Sequence, residues 1–84
     1  MKRYDPSLFR KKRKILGIDA KELAAETQLS KTTILNAETN VPVQRSTILL
    51  MGLVLDLFAI RQEKIEAFHE LEKAKRQEDI LHTA

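Results

Sequence analysis

Apolar side chains recur along this chain at helical spacing, and the elements they predict are all helices. Phe9 and Leu16, with Leu8 beside them and Arg13 between, mark the inward side of a first helix. Asp5 and Pro6 begin it, as an N-cap followed by proline at the first helical position. Gly17 is placed to close it in a left-handed conformation. Two more helix starts follow within residues 18–38. Asp19 caps one, with Glu22 at the capping-box position, and Ser30 caps the other. These predict helices over residues 20–27 and 31–38. Leu23, Ala24, Thr27, Leu29 and Ile34 are spaced to share one interior, and Ala37 joins Ile34 on the inward side of the third helix. The gap at Gln28, Leu29 and Ser30 leaves room only for a tight turn, so the two short helices cross steeply.

After a loop broken by Asn40 and Pro42, a fourth helix is predicted over residues 46–55. It is apolar nearly all round, through Ile48, Leu49, Leu50, Met51, Leu53, Val54 and Leu55, and such a helix must be covered on all sides. Asp56 is expected to end it and Gly52 to stand at a close helix contact. A last helix is predicted over residues 61–81. In it Ile65, Phe68 and Leu71 recur on one face, with Ala67 and Ala74 beside them, and the other face is charged. Glu72, Lys75 and Gln77 interrupt the heptad, which speaks against a long coiled coil. A basic arm at Met1 to Tyr4 and an apolar tip at Ile80 and Leu81 flank these elements.

Eighty-four residues make one small chain that buries only roughly 60–65% of its unfolded surface, so oligomerisation is a common remedy. With no cysteine there is no disulfide framework, thiol catalysis or Cys-based metal site. The two histidines read as solvent-facing residues without a role, so neither a metal nor any other cofactor is expected. No general base or nucleophile stands at workable spacing, so an enzyme is not expected. No apolar run approaches a membrane span and no signal peptide begins the chain, which leads to the expectation of a soluble, cytoplasmic protein. The net charge of +3 is unevenly placed: residues 1–49 hold ten Lys/Arg against five Asp/Glu, and residues 50–84 hold five against seven. A basic front and a mildly acidic back suggest a polyanion on one side only. Within the front half, Arg10 to Lys14 is an unbroken basic run, which reads either as a solvated helix face or as phosphate contacts.

The stretch from residue 18 to 38 resembles the helix-turn-helix of the phage repressor and Cro family. The resemblance rests on Leu23 and Ala24, on Leu29 and Ser30 after the turn, on Thr33 and Ile34, and on Glu38. It extends less strongly to Thr47, Ile48, Met51, Gly52 and Leu55, and so covers about residues 8–57. Ala20 departs from the Gln common in the family, Gln28 from the usual Gly, Thr39-Asn40 from Asn-Gly, and Lys12 from an apolar residue. The resemblance implies an all-α, five-helix, lambda-repressor-like fold whose first four helices form the DNA-binding domain over residues 1–57. Residues 58–84 would add a C-terminal helix for dimerisation or for covering the core. It implies a transcriptional regulator of double-stranded DNA, of phage, plasmid or other mobile origin, that represses by occupancy. Lys31, Thr32, Thr33 and Asn36 take the base-reading positions. Lys can donate to guanine, Asn can pair with adenine, and a Thr methyl can meet thymine. Arg10, Lys21, Gln44 and Arg45 are placed for backbone phosphates. Arg13 would pair with Glu38 as a structural ion pair.

The surplus apolar surface points to a homodimer built from Leu49, Leu50, Leu53 and Val54 with Ile65, Phe68 and Leu71. The last helix can pack within the chain or between chains. Two other readings stand beside this one. An antitoxin or accessory DNA-binding subunit would take a protein partner through the last two helices. A protein-interaction domain could have lost DNA binding, which Ala20 and Gln28 would favour.

Overall fold

Each helix start expected between residues 5 and 38 carries its capping hydrogen bond. The computed structural model describes residues 5–83, with side chains through Ala74. The expected arm at residues 1–4 and the apolar tip at Ile80 and Leu81 lie outside the described residues and side chains. Asp5 accepts from the Ser7 N–H at 3.0 Å and opens α1 (Pro6–Leu16). Asp19 accepts from the Glu22 N–H at 2.8 Å while Glu22 accepts from the Asp19 N–H at 3.2 Å, and this capping box opens α2 (Ala20–Thr27). Ser30 Oγ accepts from the Thr33 N–H at 3.1 Å and opens α3 (Lys31–Glu38). The last two helices are α4 (Arg45–Arg61) and α5 (Ile65–Thr83), with no strand among the described residues.

The joints follow from backbone chemistry. Gly17 ends α1 at φ 70°, a conformation glycine adopts without a Cβ clash. Gln28 ends α2 at φ 59°, where an L-residue is held at a cost of roughly 1–2 kcal/mol. That residue lets the chain turn within Gln28, Leu29 and Ser30 and start α3 at once. The buried Thr27 hydroxyl donates to the Leu23 carbonyl at 2.9 Å, so it enters the core satisfied.

The interior collects Leu23, Ile34, Met51 and Leu55, all fully buried, with Phe9, Leu16, Ile18 and Phe68 around them. Ala24 and Ala37 are buried where α2, α3 and α4 meet the core, and their small size lets backbones approach. Helix α4 packs on α1 and α2, and α5 packs on α1 and α4.

The C-terminal half differs from the sequence expectation. Asp56 does not end the fourth helix but lies exposed on its surface, and α4 runs on to Arg61. The reason is Ala59, which is fully buried and continues the Met51–Leu55 face by one more turn. The break comes at Gln62, Glu63 and Lys64, where Glu63 takes φ 58° and the Lys64 N–H returns to the Ala59 carbonyl at 2.7 Å. The expected boundary near residue 57 therefore falls inside α4, and one core serves both parts. Gly52 is at no close helix contact, since nothing lies within 4 Å of where a Cβ would stand.

Helix α5 folds back on its own chain. Phe68 is buried to 2% exposure and Ile65 packs against the same core. Phe68, expected at a dimer interface, is thus consumed inside the protomer. The basic run needs a second correction. Lys12 is neither solvated nor turned to a phosphate: its side chain is 9% exposed, its Nζ lies 2.5 Å from Glu72 Oε2 and 5.0 Å from the centre of the Phe68 ring. A desolvated ammonium needs a counter-charge, and α5 supplies both the carboxylate and the negative face of a ring.

The two ends of this pair are unequal, because Glu72 remains 40% exposed. Lys12→Met removes the buried charge and keeps the packing, and is expected to change stability by less than about 1 kcal/mol. Glu72→Gln leaves the ammonium buried without its partner and is expected to cost about 1–3 kcal/mol. Denaturant unfolding of both variants measures this asymmetry, and equal losses would contradict it.

Candidate functional site

Helix α3 is two turns long and its two sides differ in kind. Ile34, Ala37 and Glu38 face the interior. Lys31, Thr32 and Leu35 are exposed, and Asn36 is half-exposed beside them. The side chains of Lys31, Thr32 and Asn36 make no hydrogen bond or ion pair among the described residues, so their donors and acceptors face outward unpaired. Thr33 stands apart from them. It is half-buried on the flank, and its hydroxyl lies 2.9 Å from the Ser30 hydroxyl that caps the helix. At the far end the Asn36 carbonyl accepts from the Thr39 and Val41 N–H groups at 3.2 and 3.0 Å, which closes α3. Asn40 follows in the left-handed region at φ 66°, where Asn is tolerated better than most side chains.

One ion pair sets how this helix is held. Arg13 on α1 donates from Nε to Glu38 Oε2 at 2.7 Å and from Nη2 to Oε1 at 2.9 Å. Its remaining nitrogen, Nη1, donates to the Ile18 carbonyl at 3.2 Å. The Glu38 side chain is 1% exposed and that of Arg13 12%. The hydrogen bond to Glu38 raises the Arg13 pKa above its ordinary value, against the opposing effect of burial, with further help from the charges of Glu38 and Asp19. The guanidinium is therefore charged at any physiological pH. Two parallel hydrogen bonds also fix the planes of the two groups, which a lysine at position 13 would not do.

Both Lys12 and Arg13 point inward, so the five-residue basic run divides. Arg10, Lys11 and Lys14 remain exposed. Arg10 is three residues before Arg13, a neighbouring bearing on the helix surface, and so stands on the side of α1 that meets α3. Lys21 is exposed in the first turn of α2. Gln44 is the cap position of α4 without a side-chain cap bond, and Arg45 is its first residue, both exposed. The four residues expected at phosphates thus lie on α1, on α2 and at the start of α4, and α3 itself packs on α1 and α2.

The expected dimer residues separate into three groups. Leu49 and Leu53 are exposed, Leu50 and Val54 are half-buried, and Ile65 and Leu71 are half-buried on the protomer's own α5. Leu57 and Ile60, which lie between the two helices expected over 46–55 and 61–81, are exposed as well. The signal for them was present in the continued i, i+4 spacing from Leu49 through Leu53 to Leu57. Asp56, a helix-ending residue by local rules alone, interrupts that spacing in the sequence but not in the helix.

Between α4 and α5, Asp56, Ile60, Ile65, Phe68, His69 and Glu72 line a shallow groove of about 230 Å³. Among the described residues no three His, Asp or Glu side chains cluster to hold a metal ion, and no helix is long and apolar enough to cross a membrane. No protein-family model matches the chain, and neither a curated protein nor a solved structure matches it significantly.

The buried Arg13–Glu38 pair should behave as a unit. Arg13→Met alone is expected to destabilise by about 3 kcal/mol, since it leaves the Glu38 carboxylate buried and unpaired. The double variant Arg13→Met, Glu38→Leu is expected to recover part of that loss. A thermodynamic cycle on the four proteins gives the coupling, and simple additivity would refute it.

Proposed function

We propose that this protein is a sequence-specific double-stranded DNA-binding regulator that uses α2 and α3 as a repressor-like helix-turn-helix. The observation that carries this reading is the outward face of α3. Lys31, Thr32 and Asn36 stand there with unpaired hydrogen-bonding groups, and Arg10, Lys21 and Arg45 are exposed on α1, α2 and α4. A helix laid in the major groove presents its N-terminal residues to base edges, while cations on neighbouring elements meet the phosphates. Lys31 then donates to guanine O6 and N7, Asn36 pairs with adenine, and the Thr32 methyl meets a thymine. Thr33, held by Ser30 on the flank, faces the backbone near the start of α3. Gln44 and Arg45 bring the exposed N-terminus of α4 to a second phosphate, where unpaired N–H groups favour an anion. Occupancy of the bound site then blocks transcription without any further activity.

The operator is read by two copies. Leu49, Leu53, Leu57 and Ile60 are 48–62% exposed and form one stripe on α4, opposite the buried Thr47, Met51, Leu55 and Ala59. From residue 49 to 60 the stripe runs about 16 Å along the helix. This exposed aliphatic surface, with Asp56 at its edge, is of the kind that marks a contact with another protein. A second copy covers it best, because a two-fold axis sets the same apolar residues against each other, with half-buried Leu50 and Val54 at the margin. Helix α5 is already spent within each protomer. Paired two-fold, the α3 helices would sit ~34–36 Å apart and the operator would be a near-palindrome.

Two predictions follow this reading. Lys31→Ala and Asn36→Ala are expected to cost about 1–3 kcal/mol at the preferred site and to relax the choice at one base pair each. Arg10→Ala and Arg45→Ala are expected to weaken all sequences alike and to flatten the salt dependence by roughly one unit. Selection of bound DNA from a random pool, followed by salt titration, separates the two classes, and an unchanged selected motif in Lys31→Ala and Asn36→Ala would sink the assignment.

For the interface, sedimentation is expected to give a dimer for the full chain at micromolar concentration and a helical monomer for Leu53→Glu. A full chain that stays monomeric at high micromolar concentration on an asymmetric site would instead assign the stripe to a different protein, as an antitoxin or accessory subunit requires.

A further inference from the structure

Leu35 is the one apolar residue on the outward face of α3. At about 100° per residue, Lys31, Leu35, Thr32 and Asn36 take successive bearings of roughly 0°, 40°, 100° and 140°, so Leu35 lies between two hydrogen-bonding neighbours. Ala37, at roughly 240°, stands opposite them and Ile34 follows at roughly 300°, both buried, while buried Glu38 borders the Lys31 edge where it meets Arg13. Leu35 is 40% exposed, and its carbonyl is already taken by the Thr39 hydroxyl at 2.9 Å. Its backbone closes the helix end, and its side chain stands outside the core. A lone exposed leucine on an ordinary surface asks for no explanation. Its place among the side chains that carry the DNA-binding reading is what gives this one meaning. The base edges in the major groove offer one apolar group, the C5-methyl of thymine, which 5-methylcytosine shares.

We propose that Leu35 reads a pyrimidine C5-methyl in the major groove and that this contact makes it a specificity-determining residue of α3. The proposal rests on the DNA-binding reading above. Lys31 and Leu35 are four residues apart, about 6 Å along the helix axis, so the guanine and the methylated pyrimidine fall within about two base pairs of each other. The contact is one of shape and desolvation. A hydrogen-bonding residue at position 35 would have no partner at the methyl, and a smaller apolar residue would not reach it.

The test uses the full-length protein and the duplex it selects from a random pool. Each thymine in that duplex is replaced in turn by deoxyuridine, which removes only the methyl and leaves the base pair intact. Besides the thymine that the Thr32 methyl meets, one position in each half-site is expected to lose about three- to five-fold in affinity, the scale of one buried methyl group. Leu35→Ala and Leu35→Gln are expected to bind the thymine duplex more weakly and to be indifferent to uracil at that same position. Replacing the thymine by cytosine and then by 5-methylcytosine tells the two methyl sources apart. Recovery with 5-methylcytosine to no more than the thymine level assigns a thymine reader, and binding tighter than to thymine assigns a reader of methylated cytosine. The proposal is overturned if no thymine is sensitive to uracil, or if the sensitivity persists undiminished in both Leu35 variants. A protein that selects no DNA at all would overturn the DNA-binding reading itself, an outcome distinct from selecting a site and ignoring its methyl groups.

Discussion

Arg13 and Glu38 lie twenty-five positions apart in sequence, yet both ends of the pair are withdrawn from water. A buried carboxylate and a buried guanidinium each lose several kcal/mol of hydration, which is tolerable only if the geometry is good and the remaining donors are satisfied. Here it is: two parallel hydrogen bonds join the ions and a third reaches the Ile18 carbonyl at the joint between α1 and α2. One arginine thus ties three elements at once. The last residue of α3 is locked to α1, so the orientation of α3 is set by a planar, directional contact as well as by Ile34 and Ala37 in the core. The outward bearing of Lys31, Thr32, Leu35 and Asn36 depends on that lock.

Lys12 and Glu72 form a second charged clamp on the neighbouring bearing of α1, and it works differently. One partner is buried and the other half-solvated, with Phe68 beneath the ammonium. This clamp adds nothing to α3. It orders α5 against α1, and in doing so it takes a cation out of the exposed basic run. The two clamps explain why five consecutive basic residues leave only Arg10, Lys11 and Lys14 on the surface.

The other constraint is the composition of α4. Its 17 residues are apolar on nearly every bearing, and a small domain has only so much interior to offer. Helices α1 and α2 take one face and α5 takes an adjoining one. Leu49, Leu53, Leu57 and Ile60 are left over. An excess of this kind arises from the sequence of one helix.

Local chemistry made the first half of this protein readable from its sequence. Asp5, Asp19 and Ser30 cap helices through their own side chains, and Gly17 ends one through its lack of a Cβ, so each boundary is written within a few residues. The same caps, with the apolar period between them, dictate which side of α3 faces outward. The second half was decided by packing. Asp56 is a reasonable helix end by local rules, but Ala59 had a place in the core and carried α4 past it. Lys12 looks like one more surface lysine until α5 folds back and sets Glu72 and Phe68 against it, a contact across sixty residues. Phe68 could serve one chain or two by its spacing alone, and only the return of α5 onto α1 and α4 placed it inside. Capping depends on neighbours in sequence, whereas burial depends on which distant elements arrive. The caps and the period could therefore be read from the chain, while the length of α4, the fate of Lys12 and the leftover aliphatic stripe required the assembled fold.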